Sequence, residues 1–397
     1  MLLTTIGEAF EINPQVRIPK GTEVPFVTMD QVVPGQRNVS AAENRVFKGG
    51  SKFEHGDTLM ARITPCLENK KIAQYLPPNH ASPSAGSTEF IVIRGKNGVS
   101  ITPFAYYFVQ SPDIHELAIS LMTGTSGRQR VDTEAFRMSK IWLPNLTTQE
   151  KIVKVLGSLD DKIAVNNRII ETADCLVDAL YHQVKKLPPN STFGEEFEIY
   201  GGATPSTKND EFWGGDIFWA TPTDITALNG PWLLNTSRTI THSGLKATSS
   251  ILHPENAILM TSRATIGKTA LASTPITTNQ GFIIIHAPKD LVPWLFSQLR
   301  NRTHEFESWA NGATFLELPR GVFKTLPFIR CDKDQLAKFN TTAWPLLKHI
   351  EATQQENQTL ARTRDELLPL LMSGKITVRD AEEASAEVGV DKHEVEE

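Results

Sequence analysis

A chain of 397 residues is long enough for two or three domains, each able to bury its own core. Its 40% hydrophobic and 21% charged residues are typical of a globular protein. No apolar stretch approaches the roughly 20 residues that span a bilayer, so we expect a cytoplasmic protein. The cysteines Cys66, Cys175 and Cys331 lie far apart, which predicts reduced thiols and no zinc or disulfide framework.

The net charge of −5 is unevenly distributed along the chain. Residues 380–397 hold eight carboxylates against one lysine and carry −7, which leaves +2 on the rest. A mildly positive body is compatible with a nucleic-acid partner. The tail has few apolar residues to offset the entropy of ordering it, so the sequence predicts a disordered tail, to which no role is assigned.

The chain contains an internal repeat, whose parts occur in the same order in both halves. In each half a strand with a nearby aspartate precedes an apolar strand that enters an arginine-bearing turn. A buried strand, an amphipathic helix, a loop of small residues and a strand with Leu-Pro follow. The paired stretches are 25–32 and 218–225, 57–73 and 256–272, 86–94 and 278–286, 103–111 and 293–301, 124–131 and 311–323, and 141–144 and 325–328.

After each Leu-Pro the composition changes to helix-forming residues with a seven-residue apolar period. The rows that begin at Ile152 and Leu156 recur 187 residues later, at Phe339 and Ala343. Such a period predicts a coiled-coil pair, and two separate amphipathic helices remain the alternative. Pro345 places the start of the second helix there, or breaks the helix after a first turn at 334–343. The predicted pairing residues are Leu159, Ile163, Ile170, Leu180, Leu346, Ile350, Asn357 and Leu367.

The stretch 263–269, RATIGKT, raises the alternative of a nucleotide-binding protein. A phosphate-binding loop requires a glycine five residues before Gly267, where this chain has Ser262, and a helix that begins at the lysine. The residues after Lys268 are too β-branched and too near Pro275 to form that helix. The pattern therefore argues against an NTPase.

The loops contain the polar side chains that read DNA grooves, whereas catalytic motifs are absent. Arginine forks suit guanine edges and phosphates, and Asn or Gln suits adenine edges. No methyltransferase motif, nucleophile elbow or metal-binding cysteine pair occurs, so no catalytic or metal residue is predicted. The candidates in the two halves are Arg62, Thr64, Lys70, Lys71, Arg128, Gln129 and Arg130, and then Ser262, Arg263, Lys268, Asn279, Gln280, Arg320 and Lys324.

Several of these stretches together resemble the specificity subunit of type I restriction-modification systems. They include MARITPCLENKKIA, GTSGRQRV, LPNLTTQEKIVKVLGSLDDKIAVNNRII, TSRATIGKTALA and LLPLLMSGKI, and the resemblance covers residues 1–376. It departs from the pattern at Lys70, where similar sequences often have glycine, and in the acidic tail.

The resemblance implies an α+β fold with two target recognition domains and two helices in an antiparallel coiled coil, related by a pseudo-twofold repeat. The implied segments are recognition domains 1–146 and 190–328, helical regions 147–187 and 332–376, and the tail 380–397. Each recognition domain would read one half of a bipartite target in double-stranded DNA. A coiled-coil interaction scaffold without DNA is the rival hypothesis.

The resemblance also implies partners and the location of the chemistry. The helices would dock two modification subunits, which bind S-adenosylmethionine and methylate adenine, while ATP-driven translocation and cleavage, with Mg, belong to restriction subunits. This chain is expected to bind no cofactor. Base readout is expected from Arg62, Arg128, Gln129, Arg130, Arg263, Asn279 and Gln280, and phosphate contacts from Lys70, Lys71, Lys268 and Lys324.

Overall fold

The computed structural model describes residues 2–77, 83–125, 127–312 and 316–390. They form two compact units, Met1–Ala164 with Gln358–Glu397, and Val165–Asn357. Each unit therefore combines one predicted recognition domain with half of each long helix, so the compact units do not follow the predicted segment boundaries.

The first unit contains two larger sheets. Its strands are β1 Leu2–Thr5, β2 Phe10–Ile12, β3 Glu23–Val27, β4 Asn38–Val39, β5 Glu43–Val46, β6 Ser51–Phe53, β7 Thr58–Ala61, β8 Ile72–Tyr75, β9 Ser84–Gly86, β10 Phe90–Gly95, β11 Met122–Thr123, β12 Arg130–Val131 and β13 Lys140–Leu143. Its short helices are α1 Ile6–Ala9, α2 Thr102–Gln110, α3 Pro112–Ser120 and α4 Thr133–Met138. The sheet orders are β2-β10-β7-β8-β4 and β5-β3-β9-β6, beside the pairs β1-β13 and β11-β12.

Helix α5, Leu146–Gln183, follows the first globular part. The side chain of Asn145 accepts a hydrogen bond from the backbone N–H of Thr148 at 2.9 Å, which satisfies a free amide of the first turn.

The second unit repeats the order of the first. Its strands are β14 Ser191–Thr192, β15 Glu198–Gly201, β16 Trp213–Ala220, β17 Trp232–Leu233, β18 Thr239–Ile240, β19 Ile258–Thr261, β20 Thr269–Ala272, β21 Ile276–Thr278, β22 Phe282–His286 and β23 Pro327–Phe328. Its short helices are α6 Phe193–Glu196, α7 Pro222–Thr226, α8 His242–Lys246, α9 Val292–Arg300, α10 Thr303–Ser308 and α11 Arg320–Thr325. The five-stranded order β15-β22-β19-β20-β17 matches that of the first unit, and β18-β16-β21 matches β5-β3-β9. The predicted internal repeat is confirmed.

Helix α12, Lys333–Ser373, is continuous and includes Pro345. The prediction of a start or a break near Pro345 is therefore wrong. Proline removes one N–H donor in a helix interior, and the acceptor that it leaves is the carbonyl of Thr341, an exposed residue that water can reach.

The two long helices pair in antiparallel orientation. In the first unit the initial half of α5 packs with the final half of α12, through Ile152, Leu159, Leu360 and Leu367. In the second unit the remaining halves pack through residues such as Ile170, Val177, Phe339 and Ile350. Of the predicted pairing residues, Leu159, Ile170, Ile350 and Leu367 are buried, and Ile163, Leu180, Leu346 and Asn357 are half-buried.

The acidic tail is helical over part of its length. Helix α13, Val378–Glu387, begins with a capping box between Thr377 and Asp380, and its Ala381 and Ser385 are buried. The predicted disorder is wrong for these residues, because small side chains allow the helix to pack closely on the apolar core of the first unit. Residues 391–397 of the predicted tail lie outside the described residues.

Candidate functional site

In the first unit the end of strand β7 meets two loops. The backbone N–H of Arg62 donates to the carbonyl of Glu89, and the carbonyl of Arg62 accepts from the N–H of Val131, both at 2.9 Å. Ile63 forms a bridge with Arg130. These bonds bring residues distant in sequence to the carboxyl end of one strand.

Arginine side chains line a concavity of about 620 Å³ at this strand end. The Arg130 guanidinium donates to both carboxylate oxygens of Glu89 at 2.7–3.1 Å, and these hydrogen bonds lower the pKa of Glu89. Arg62 donates to the carbonyl of Val131 at 3.2 Å, and its Nε is buried without a partner among the described residues. Arg128 is exposed on the rim. The lining residues are Asn13, Arg62, Thr123, Gly124, Arg128, Arg130, Val131, Asp132 and Thr133.

The other candidates of the first unit do not line this concavity. Thr64 donates to the backbone carbonyl of Gln129 through its N–H at 3.0 Å, so both residues belong to the same loop contact. Lys71 Nζ is used internally, because it donates to the carbonyl of Met29 at 2.9 Å. Lys70 has a left-handed φ of 53° and lines a different concavity, beside Tyr106. The predicted loop 124–131 includes Ser126, which lies outside the described residues.

In the second unit the equivalent strand end has a different residue. The N–H of Ser262 donates to the carbonyl of Gly281 at 2.8 Å, and its carbonyl accepts from the N–H of Leu318 at 2.9 Å. This is the hydrogen-bonding pattern of Arg62, so Ser262 occupies the position of Arg62. The arginines of the two repeated turns, Arg62 and Arg263, therefore differ in register by one residue.

Arg263 instead occupies the position of Ile63. It forms a bridge with Glu317, as Ile63 does with Arg130. Arg263 Nε lies 3.0 Å from a Glu317 carboxylate oxygen but is not aligned for a hydrogen bond, so the contact is an ion pair. Both units thus place an arginine–carboxylate pair at this strand end, but the arginine comes from strand β12 in the first unit and from the turn after strand β19 in the second.

The polar pair before strand β22 shapes the adjacent turn. Asn279 accepts the N–H of Gly281 on its side-chain oxygen at 2.8 Å, and Gln280 accepts the hydroxyl of Thr204 at 2.6 Å. Asn279 is therefore engaged in the turn, whereas Gln280 is exposed.

The basic candidates of the second unit other than Arg263 are exposed. Lys268 follows the turn after strand β19, and the Arg320 guanidinium lies close to Gly201. Lys324 packs its backbone and Cβ near Gly194. The predicted loop 311–323 includes residues 313–315, which lie outside the described residues.

The backbone of RATIGKT cannot serve as a phosphate-binding loop in this conformation. The N–H of Gly267 donates to the carbonyl of Thr261 at 2.9 Å, and the N–H of Lys268 donates to the hydroxyl of Thr261 at 3.1 Å. Lys268 is followed by strand β20, Thr269–Ala272, and not by a helix. Two of the amides that would cradle a phosphate are therefore occupied and no helix follows the lysine, so the stretch lacks the geometry of a phosphate-binding loop.

Sequence reasoning missed the carboxylates Glu89 and Glu317, which orient Arg130 and Arg263. No local signal marks them, since each partner lies about 40 or more residues away in the chain. Among the described residues no group of three or more His, Cys, Asp or Glu side chains could hold a metal ion. No helix of the described chain has the length and apolar character to cross a membrane.

Comparison with known proteins finds similarity to the specificity proteins of type I restriction-modification systems. The family model "Type I restriction modification DNA specificity domain" matches residues 65–173 and 190–329. The MjaIX specificity subunit of Methanocaldococcus jannaschii is 36% identical over 174 residues, which cover 43% of this chain and 40% of that protein. The chain thus aligns with less than half the length of that relative.

Two further similarities extend over more of the chain. The HindI specificity subunit of Haemophilus influenzae is 21% identical over 372 residues, 73% of this chain and 81% of that protein. The crystal structure of the type I restriction-modification S subunit from M. genitalium has a TM-score of 0.53 at 14% identity. The structural match covers 93% of this chain and 95% of that chain. At this sequence identity the match shows similarity of fold alone.

Proposed function

We propose, because the chain belongs to the type I restriction modification DNA specificity domain family, that it is the non-catalytic DNA-specificity subunit of such an enzyme. Each unit would read one half of a bipartite target. The observation that carries this proposal is the arginine-bearing strand end that recurs in both units, Arg62 with Arg130 in one and Arg263 in the other.

The arginine side chains at the end of strand β7 in the first unit have hydrogen-bond donors that suit DNA. Guanidinium groups donate in a planar fork that matches paired acceptors on guanine or phosphate. Glu89 orients Arg130, which is 45% exposed and keeps donors available to a ligand. The Arg128 side chain lines the concavity, is exposed and has no hydrogen-bond partner among the described residues. A concavity that fits a base edge or a phosphate thus has three arginines around it.

Partners and cofactors follow from the same proposal. The paired helices would set the distance between half-sites and dock two modification subunits, and restriction subunits would join them. S-adenosylmethionine, ATP and Mg would bind those partners and not this chain. We expect the complex in the cytoplasm, where it meets double-stranded DNA.

The test is a DNA-binding titration of the full chain, alone and assembled with its modification subunits, at increasing salt. Affinity should fall steeply as the salt concentration rises. In a plot of log affinity against log salt concentration, each phosphate contacted should contribute about −0.9 to the slope. Affinity that is undetectable at low salt in both preparations would favour the interaction scaffold.

The assignment of the first half-site is tested with alanine at Arg128 and Arg130. Mapping of methylated adenines should show relaxed sequence preference in one half-site only. Arg379→Ala is the matched control, because Arg379 is 86% exposed on helix α13, outside the concavity. Unchanged specificity and affinity of the double variant would contradict the assignment.

The role of the helices is tested by Ile163→Asp together with Ile350→Asp. Both residues lie in the apolar seams, so charge there should abolish assembly with the modification subunits or destroy the fixed spacing. Full activity of this variant would contradict the proposed role.

A further inference from the structure

In the second unit the Arg238 guanidinium lies over the rings of Trp213 and Trp219, here called the aromatic platform. This platform lies outside the strand end described above. The Arg238 guanidinium carbon lies 3.5 Å from the centre of the Trp213 ring and 5.5 Å from that of Trp219. The two indoles meet edge to face at 5.0 Å. Arginine above an indole face is held by attraction between the cation and the ring electrons.

The platform itself is fixed in place. The Trp219 indole N–H donates to the carbonyl of Ala203 at 3.0 Å, and that of Trp213 donates to the carbonyl of Ser206 at 3.2 Å. Trp219 is only 4% exposed. The rings therefore present a rigid surface to Arg238.

The loop that carries Arg238 is also tied down. The backbone carbonyl of Arg238 accepts hydrogen bonds from the hydroxyl of Thr236 at 2.6 Å and from the N–H of Trp219 at 3.2 Å. The N–H of Ser237 donates to Asp224 at 2.9 Å. Both the backbone and the guanidinium of this exposed residue are thus positioned before any ligand arrives.

The guanidinium donors of Arg238 have no acceptor among the described residues. In this respect Arg238 differs from Arg130, which is paired with Glu89, and from Arg263, which is paired with Glu317. Stacking covers the flat face of a guanidinium and leaves the N–H groups at its edge, where they can meet two acceptors at once. An ordered, exposed and unpaired fork is suited to a ligand with adjacent acceptors.

Arg238 is linked by short contacts to the predicted readout residues. Trp219, beneath it, bonds to Ala203, and the next residue, Thr204, donates to Gln280. Strand β16 continues from Trp219 to Ala220, whose carbonyl accepts the N–H of Asn279 at 2.9 Å. The platform and the Asn279–Gln280 turn therefore belong to one part of the second unit.

We infer that Arg238 contacts DNA in the second half-site, donating its fork to paired acceptors, and that Trp213 positions it. The inference rests on the proposed function and adds a residue outside the recurring strand end. Adjacent acceptors on DNA occur at the guanine N7 and O6 atoms and on phosphates, and these two sources differ in how they affect sequence preference.

The experiment compares the full chain with Arg238→Ala, Arg238→Lys and the control Arg379→Ala. Each protein selects duplexes from a randomised library, and its affinity for one selected duplex is titrated against salt. Loss of roughly tenfold or more in preference at one or two positions of a single half-site identifies a guanine contact. A comparable loss of affinity for all sequences, with a slope of log affinity against log salt concentration that is shallower by about 0.9, identifies a phosphate contact. Both outcomes support the inference.

Further variants test whether the guanidinium geometry and the aromatic ring are required, as distinct from the charge of Arg238 and the stability of the fold. Lysine keeps the charge without the fork, so Arg238→Lys should recover the phosphate contact better than the guanine contact. Trp213→Phe should retain more discrimination than Trp213→Leu, because only phenylalanine keeps an aromatic face. Unfolding curves of Arg238→Ala should match those of the parent chain, since the residue is exposed.

Two results would overturn the inference. If the parent chain binds DNA and Arg238→Ala has the same affinity, sequence preference and salt slope, the inference is wrong and the proposed function stands. If the parent chain binds no DNA, alone or assembled, the proposed function fails and the inference fails with it.

Discussion

Single residues are most constrained where two backbones pass each other. A Cβ on Gly202 would lie 2.1 Å from the carbonyl oxygen of Asn279, far inside contact distance. The crossing holds the Asn279–Gln280 turn beside the loop that contains Ala203. Glycine is required there for close approach, although its φ lies outside the left-handed region.

Gly202→Ala should destabilise the second unit and weaken DNA binding, because backbone atoms must shift to admit the methyl group. We expect a loss of about 1–3 kcal/mol in the free energy of unfolding, the usual effect of overpacking. Chemical denaturation measures it. Gly321→Ala is the control, since a Cβ there meets nothing within 4 Å and alanine favours a helix. Equal stability of the two variants would contradict the close-approach argument.

A histidine pair, in which His253 is buried and His286 half-buried, should make the stability of the second unit depend on pH. His253 Nδ1 lies 3.0 Å from His286 Nε2, and burial, followed by the neighbouring His286, lowers the pKa of His253 to about 4. Burial also lowers the pKa of His286, against the opposing effect of Glu198, and Tyr200 packs on both rings.

The folded state therefore binds fewer protons than the unfolded state between pH 6.5 and about 4. Stability is fully present above pH 6.5 and should fall by up to about 1.4 kcal/mol per pH unit as the pH decreases through this window. Unfolding titrations at pH 7, 6 and 5 measure the slope. His253→Asn should flatten it, and an unchanged slope in that variant would contradict the assignment to His253.

At the scale of elements, buried polar groups join helices to the globular parts. Arg364 on α12 donates to Asp160 on α5 at 2.7 Å and to the carbonyl of Gly35 at 3.1 Å. The Tyr107 hydroxyl donates to the second oxygen of Asp160 at 2.7 Å. Burial and the nearby Asp160 carboxylate raise the pKa of Tyr107, so its hydroxyl stays protonated. The network fixes helix α2 and both long helices in the first unit.

Arg364→Met should cost about 3–5 kcal/mol in unfolding free energy, because it leaves the Asp160 carboxylate buried without its cation. The double variant Arg364→Met with Asp160→Leu should cost less, since apolar groups replace both charges. Denaturant unfolding of the three proteins measures the difference. A double variant less stable than the single one would show that the network does more than neutralise a buried charge.

The midpoint of the helix pair contains a polar layer in the second unit. Asn166 donates to Asn357 at 2.9 Å and to Glu356 at 2.7 Å, while Asn357 donates to Asn167 at 2.8 Å. Asparagines at seam positions fix register, because any shift would leave buried amides without partners. The heptad rows that begin at Ile152 and Ala343 include Asn166 and Asn357, but the rows do not show that these two residues bond to each other.

At the scale of the whole molecule, the same two helices contribute to two separate cores. Leu360 belongs to the apolar cluster of the first unit and Ile350 to that of the second, and both are fully buried. One helix therefore supports both units, which the predicted division into domains and helical regions did not anticipate.

Ile350→Ala and Leu360→Ala should each cost about 2–5 kcal/mol, but in different units. Hydrogen exchange should accelerate mainly in residues 165–357 for the first variant and in the other unit for the second. The two substitutions lie ten residues apart on one helix and serve as controls for each other. Equal acceleration throughout the chain would show a single cooperative unit.

The sequence by itself determined the family, the duplicated order of elements and the register of the long helices. These features depend on short-range patterns: strand-length apolar runs, Leu-Pro boundaries and a seven-residue period are each visible within a few dozen residues.

Only the tertiary structure decided which side chains meet. It placed Ser262, and not Arg263, at the position of Arg62, paired Arg130 with Glu89 and Arg263 with Glu317, and stacked Arg238 on Trp213. These partners lie about 25 to 54 residues apart in the chain. Their contacts depend on strand register and loop closure, which no local pattern specifies.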